Sequence, residues 1–324
     1  MTVISELEAS ESVMSQVARA VREEGGAEAY RAGLDGLTAA VTERLELTSR
    51  HDADRGTALD FAASIEKGSE TALREPHVLG WFHQHFGEPE RAASHRAHNR
   101  EEAKHDSQTA TTQLYTPRWI ADVLADEAVG GAGRAIGDRL PTVLDPAVGG
   151  GQFLVAAYEA LSRRYTDASP AAIVGQLYGT DVDVRAVEVA RRTLALYVAR
   201  QVGERRTDIE TTIEEQIRVA DGLFDEVPTA DVVLTNPPYM GSRSMPAELK
   251  TSIRNQFEPF HGDLYAAFIR RCHALAEVGL GILAQQTIWY LKRFRKAREW
   301  LLEAGDLELF VHLGAHAFAS LSGE

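Results

Sequence analysis

The sequence predicts an α/β protein: a Rossmann-like, mostly parallel sheet preceded by an all-helical amino-terminal region. Three observations carry this. Short apolar runs at Val143-Leu144, Leu177-Tyr178, Ile217–Val219 and Val232–Leu234 alternate with helical stretches, the rhythm of parallel βαβ units. Each run stops at a polar residue in a turn: Asp145, Asp181, Asp221 and Asn236. Ahead of residue 109 only helical spacing recurs. The expected division is therefore 1–108, helical, and 109–324, catalytic.

A chain of 324 residues, 44% hydrophobic, has room for about two domains and a real core. No apolar run approaches the roughly 20 residues of a membrane span, and Met1–Glu6 has no signal-peptide pattern. Cys272 is the single cysteine, so no internal disulfide forms and a cytoplasmic setting is expected. A net charge of −14 argues against tight nonspecific DNA binding by the whole chain. It leaves room for a local basic face. Lys292, Arg293, Arg295, Lys296 and Arg298 form one candidate, read equally well as a solvated helix face.

In the amino-terminal third, Val13, Val17 and Val21 recur at helical spacing, as do Leu34, Leu37, Val41 and Leu45. Gly25-Gly26 is a break, and another helix is expected over 57–73. Val78–Phe86 reads as a short aromatic helix. His83, His85, His95, His98 and His105 match no common zinc spacing and lack cysteine partners, so no metal is expected. Residues 88–108 are polar, a solvent-facing helix or a linker.

The second region opens at Tyr115-Thr116-Pro117. Thr116 is suited to cap a helix with Pro117 at its first position. That helix is expected to turn Ile120, Val123 and Leu124 inward and to end near Gly130-Gly131. Next, Val143-Leu144-Asp145-Pro146-Ala147-Val148-Gly149-Gly150-Gly151-Gln152-Phe153 reads as strand, glycine turn and helix start. The glycines let a ligand approach the backbone. The spacing is neither the dinucleotide fingerprint nor a P-loop, so a phosphate cradle is disfavoured. Asp145 instead suits a positive group, such as the amino group of a methionine moiety. Asp181, after the second strand, is placed to grip two ribose hydroxyls. Asp221, followed by Gly222, suits an adenine amino group.

The fourth run ends Thr235-Asn236-Pro237-Pro238-Tyr239. The prolines cannot extend a ladder, so the loop is stiff. It offers the Asn236 side-chain oxygen and the Pro237 carbonyl as acceptors for a planar amine, with the Tyr239 ring to stack on its face. Any one of these residues is also an ordinary turn residue; four in succession make chance a poor explanation.

With these residues in order, residues 113–324 resemble γ-class, amino-directed DNA adenine methyltransferases. Val78–Gln84 and Ala110–Ile120 resemble more narrowly the PglX-type enzymes of BREX phage defence, and related DISARM methylases share the pattern. The resemblance implies S-adenosylmethionine as cofactor. It implies a donor site built from Tyr115, Thr116, Pro117, Asp145, Ala147, Gly149, Gly151, Phe153, Asp181, Asp221 and Gly222, with no metal. Thr116 and Asp145 would hold the methionine end. Asn236, Pro237, Pro238 and Tyr239 would be catalytic, and Phe318 a candidate for stacking on a flipped base. Gly-Gly-Gly at 149–151 replaces the commoner Gly-Ser-Gly. Strands are expected at Gly281–Gln285 and Leu307–Leu313. Family members continue beyond this point, so the chain reads as a fragment lacking the target-recognition domain. The implied function is site-specific adenine-N6 methylation of double-stranded DNA in restriction–modification or phage defence, alongside defence-system proteins and no membrane. Two alternatives stay open: a non-catalytic cofactor-binding scaffold, and a methyltransferase acting on protein glutamine or RNA.

Overall fold

A computed structural model describes residues 14, 18–19, 26–45, 76–86, 116–305 and 307–314. Its centre is a five-stranded, all-parallel sheet in the order β3-β2-β1-β4-β5. The strands are β1 (Val143–Asp145), β2 (Leu177–Asp181), β3 (Ile217–Val219), β4 (Ala230–Thr235) and β5 (Ala276–Ile282). Val143 pairs with both Leu177 and Val232, which puts β1 in the middle. The chain runs outward from β1 to β3, then returns to β4 beside β1. This reversal leaves a crevice at the carboxyl ends of β1 and β4.

Strand pleating divides the core. Val143, Val232 and Leu234 face a layer built on helices α3 (Arg118–Ile136), α4 (Gln152–Arg164) and α6 (Val184–Val202). Leu144 and Val233, alternating with them, face Ile253, Phe260, Tyr265 and Phe294 on the other side. All six residues of β4 are buried, which is why its sequence is a near-continuous apolar run. The second layer comprises α8 (Ala247–Phe257), α9 (Leu264–Leu275), α10 (Thr287–Tyr290) and α11 (Arg295–Ala304). Helices α5 (Pro170–Val174) and α7 (Thr207–Gln216) connect strands on the first side.

At the amino ends of β1 and β4, the Asp231 carboxylate accepts both Arg139 guanidinium bonds at 2.8 and 2.6 Å, plus the Thr142 N–H and hydroxyl. Arg139 holds its carboxyl below the usual range. This network clamps the two central strands at the end away from the crevice.

The amino-terminal helices α1 (Gly26–Arg44) and α2 (Val78–Phe86) pack against α6, a helix of the sheet's first layer. Tyr30, Leu34, Leu37, Val78 and Phe82 share one apolar cluster with Val189, Leu196 and Ala199.

Several local expectations need correction. Thr116 makes no capping bond; Pro117 is the N-cap and the helix starts at Arg118. Val123 is exposed, whereas Ile120, Ala121 and Ala125 carry the buried face. Helix α3 continues past Gly130-Gly131 to Ile136, and Gly137 at φ 72° ends it. Of the helical glycines, Gly133 serves packing: the Arg164 side chain crosses it where a Cβ would stand. Strand β5 begins five residues earlier than expected, at Ala276 rather than Gly281. It lies close on β4, since a Cβ at Gly281 would meet Leu234 at 2.6 Å. Residues 307–313 join no sheet; Leu307, Leu309, Phe310 and Val311 are exposed. Within the basic stretch, Arg298 is structural, donating to the carbonyls of Ile288 and Leu291, and Arg295 pairs with Glu299. Among the described residues no helix is long and apolar enough to cross a membrane.

Candidate active site

A cavity of about 300 Å³ opens where the carboxyl ends of β1, β2, β3 and β4 converge. Asp145, Asp181, Asp221 and Asn236 all line it, with Thr116 on the same wall. Ala147, Gly149, Phe153, Gly222 and Pro238 line it as well. Pro117, Gly151, Pro237 and Tyr239 are not among the lining residues. Tyr115 and Phe318 lie outside the described residues.

The carboxylates are held by backbone N–H groups. Asp145 accepts from Ala147 at 3.1 Å. Asp181 accepts from Gly149 at 3.0 Å and Asp183 at 2.9 Å, which ties the glycine turn to β2. Asp221 accepts from Leu223 at 2.9 Å and Phe224 at 3.3 Å. Burial nonetheless raises all of them: Asp145 to about 7, Asp181 to about 6, and Asp221 above its ordinary value. The described residues lining the cavity include no lysine or arginine. Buried acids of this kind gain from a ligand that brings a cation or hydroxyl donors.

Two glycines are dictated by space or backbone. A Cβ at Gly222 would stand 2.0 Å from the Pro146 carbonyl oxygen, so the turn after β3 lies directly on the turn after β1. Gly151 has φ 88°, the left-handed conformation that starts α4.

The Asn236 loop is held differently, by side chains. The Asn236 amide donates to the Thr116 hydroxyl at 3.1 Å, which is the partner Thr116 takes in place of a helix cap. The Tyr239 hydroxyl donates to the Asn236 side-chain oxygen and to the Leu283 carbonyl at 3.2 Å. The Asn236 oxygen, expected to stand open, is therefore engaged. The Tyr239 ring, expected to present a stacking face, packs against Tyr265 with centroids 6.0 Å apart. Burial raises its phenol well above the ordinary range, so it stays protonated and can donate. The loop continues into Met240, whose N–H donates to Asp263, and Gly241 bridges to Asp263.

One wall was not foreseen. Gly80, His83 and Gln84 of α2 line the same cavity. A Cβ at Gly150 would sit 3.2 Å from the Gly80 Cα and 3.0 Å from the Gln152 Oε1. This crowding accounts for Gly-Gly-Gly where the commoner motif has serine in the middle. The departure from the motif was the available sign in the sequence that something covers the glycine turn.

A parallel sheet in this order, with a glycine turn after its central strand and acids at successive strand tips, is the fold of the S-adenosylmethionine-dependent methyltransferases. Residues 175–318 match the family described as Eco57I restriction-modification methylase. Over 96 residues, 29% of this chain and 8% of the relative, it is 36% identical to the adenine-specific methyltransferase BrxX of Escherichia coli O9:H4 (strain HS). Over 110 residues, 33% of this chain and 9% of the relative, it is 33% identical to the adenine-specific methyltransferase PglX of Lacticaseibacillus casei (strain Zhang). These matches bear out the resemblance read from the motifs. The matched stretch spans less than a tenth of each relative's length. Among solved structures, the Type IIL restriction-modification enzyme MmeI in complex with DNA superposes with a TM-score of 0.56 at 14% identity, covering 92% of this chain and 53% of that one. That likeness concerns the fold. The fold and the family match together imply S-adenosylmethionine as the cofactor.

Proposed function

We propose that this chain is the donor-binding and catalytic part of a DNA adenine-N6 methyltransferase serving restriction–modification or phage defence. The observation that carries the proposal is the meeting of Asn236 with Asp145, Asp181 and Asp221 around one cavity. The cavity fits the cofactor's chemistry: buried acids, no cationic side chain among the described lining residues, and a glycine turn lying open to a ligand. Asp145 would receive the amino group of the methionine moiety, Asp181 the ribose hydroxyls and Asp221 the adenine amino group. Bound S-adenosylmethionine supplies an already activated methyl electrophile.

The chain's own residues act on the acceptor. Adenine N6 lies inside the duplex stack, so the base must be extruded to reach the cavity. Its lone pair is delocalised into the ring. Hydrogen bonds from N6–H to the Asn236 oxygen and the Pro237 carbonyl would draw the nitrogen towards a pyramidal, nucleophilic shape. An amide oxygen has two lone pairs and can accept from a phenol and an amine together. Tyr239 would thus orient Asn236. The remaining contribution is alignment of nitrogen, methyl and sulfur in a pocket that excludes water.

Double-stranded DNA is the proposed substrate, and defence-system proteins in the cytoplasm the proposed partners. Tritium transfer from labelled donor to adenine-containing DNA, to RNA and to glutamine-bearing protein tests the reading in the full-length protein. The expected outcome is label on adenine N6 of DNA, abolished by Asn236→Ala. Donor binding with no transfer to any acceptor would instead mark a cofactor-binding scaffold.

A further inference from the structure

Helix α2 belongs to the amino-terminal region, yet it lies on the cavity. Gly80 presses on Gly150 of the glycine turn, and Gln152 at the start of α4 lies 3.5 Å from His77, just before α2. One turn further along, His83 meets the Tyr30 hydroxyl through Nδ1 at 2.9 Å. Tyr30 in turn sits among Asp183, Arg185 and Glu188, next to the Asp181 turn. The helix therefore lines the cavity from the glycine turn, at Gly80, towards the tip of β2, on the side of Tyr30.

A charge argument assigns it a task. This step rests on the proposed donor site. A methionine moiety carries a carboxylate as well as an amino group. The cavity's acids, Asp145, Asp181 and Asp221, repel that carboxylate, and no lysine or arginine is among the described lining residues. Thr116 and Asn236, which also line the cavity, are bonded to each other. His83 and Gln84, about one turn along α2 from Gly80, and Gln152 line the cavity with side chains that can donate. Gln84 is buried at 9% exposure and His83 half-buried, so a bond formed there is shielded from water. We infer that His83 and Gln84 of α2 receive the donor's α-carboxylate, so that the amino-terminal helical region completes the cofactor site.

Calorimetry with two ligands on the 324-residue chain tests this, comparing wild type, Gln84→Glu and His83→Ala. S-adenosylhomocysteine carries the amino-acid end; 5′-methylthioadenosine lacks it but keeps adenine, ribose and thioether. For Gln84→Glu, which sets a carboxylate against a carboxylate, S-adenosylhomocysteine affinity should fall at least tenfold and 5′-methylthioadenosine affinity by less than about twofold. His83→Ala, at a half-exposed position that a truncation leaves folded, should show the same selectivity with a loss of about threefold to tenfold. Unchanged S-adenosylhomocysteine affinity in both variants overturns the inference. So does an equal loss for both ligands in His83→Ala with its melting temperature preserved, which would mark α2 as a structural wall. Wild-type protein that binds neither ligand overturns the donor site itself, a failure readily told apart from the other two.

Discussion

The two halves of the cavity are built from different bonds. On the proposed donor side, Asp145, Asp181 and Asp221 are fixed by backbone N–H groups, those of their own turns and, for Asp181, also that of Gly149 in the glycine turn. On the acceptor side, Asn236 is fixed by the hydroxyls of Thr116 and Tyr239, carried on distant and neighbouring segments. Backbone donors cannot rotate away, so the donor seat is preformed. Side-chain partners can exchange for a substrate amine without moving a strand. The difference teaches that one half is shaped for holding and the other for handing over.

The sharpest way to break this comparison is Asn236→Ala. If the proposed function holds, removing the acceptor oxygen should lower methyl transfer about 10²- to 10³-fold in the full-length protein, the scale of losing one transition-state hydrogen-bond partner. Calorimetric donor affinity should stay within about threefold. A matching fall in donor affinity would show that the halves are not separable.

Asp181→Ala attacks the other half. Hydrogen bonds to a charged group contribute about 1.5–3 kcal/mol each. Losing the proposed ribose grip should weaken S-adenosylhomocysteine binding roughly tenfold to a hundredfold. The mutation also strips an acceptor from the Gly149 N–H, so a rise in mobility of the glycine turn, seen in amide exchange, should accompany it. Equal affinity would count against the assignment.

Holding three acids in a dry seat has a cost that pH reveals. Asp145 ionises near 3.8 when unfolded and near 7 when folded. Below the unfolded value both states are protonated and the group is neutral in the balance. As pH rises towards 7 the unfolded chain releases the proton first, so folded stability falls through that window and levels off above it. Asp181, raised to about 6, acts in the same direction. Asp145→Asn cannot ionise. Its melting temperature relative to wild type should therefore climb between pH 4 and pH 7 in the absence of donor. A difference that is flat with pH would mean that Asp145 is ionised throughout.

The donor half was legible in the sequence because each feature is local. An apolar run followed by Asp and a turn states both the strand and its tip, and Asp145, Asp181 and Asp221 all reach the cavity. The sheet's position for Asn236 was legible for the same reason. What was not legible is contact between segments remote in sequence. Thr116 looked like a helix cap, yet its hydroxyl is 120 residues from the amide it meets. His83 and Gln84 carried no local pattern pointing at a ligand; only the absent serine at Gly150 hinted at the helix above it. The extent of α3 was misjudged because Gly130, Gly131 and Gly133 read as breakers while a neighbouring arginine uses the space at Gly133. Residues 307–313 have strand-like composition, but composition does not supply a ladder partner.

The smallest expected effect sharpens the comparison most. Tyr239→Phe keeps the ring and its packing on Tyr265 but removes the hydroxyl that bonds Asn236 and Leu283. If Tyr239 contributes chiefly by its ring face, methyl transfer should be nearly unchanged. If it also orients the Asn236 oxygen, the rate should fall about threefold to tenfold, the worth of about one hydrogen bond near 1 kcal/mol. Donor affinity should not move in either case, because the hydroxyl touches no donor-side acid. We expect the few-fold fall: the phenol is too buried to ionise and bonds the Asn236 oxygen, one of the two proposed acceptors for N6. Tyr239→Ala should then lose more than Tyr239→Phe, the excess measuring the ring itself.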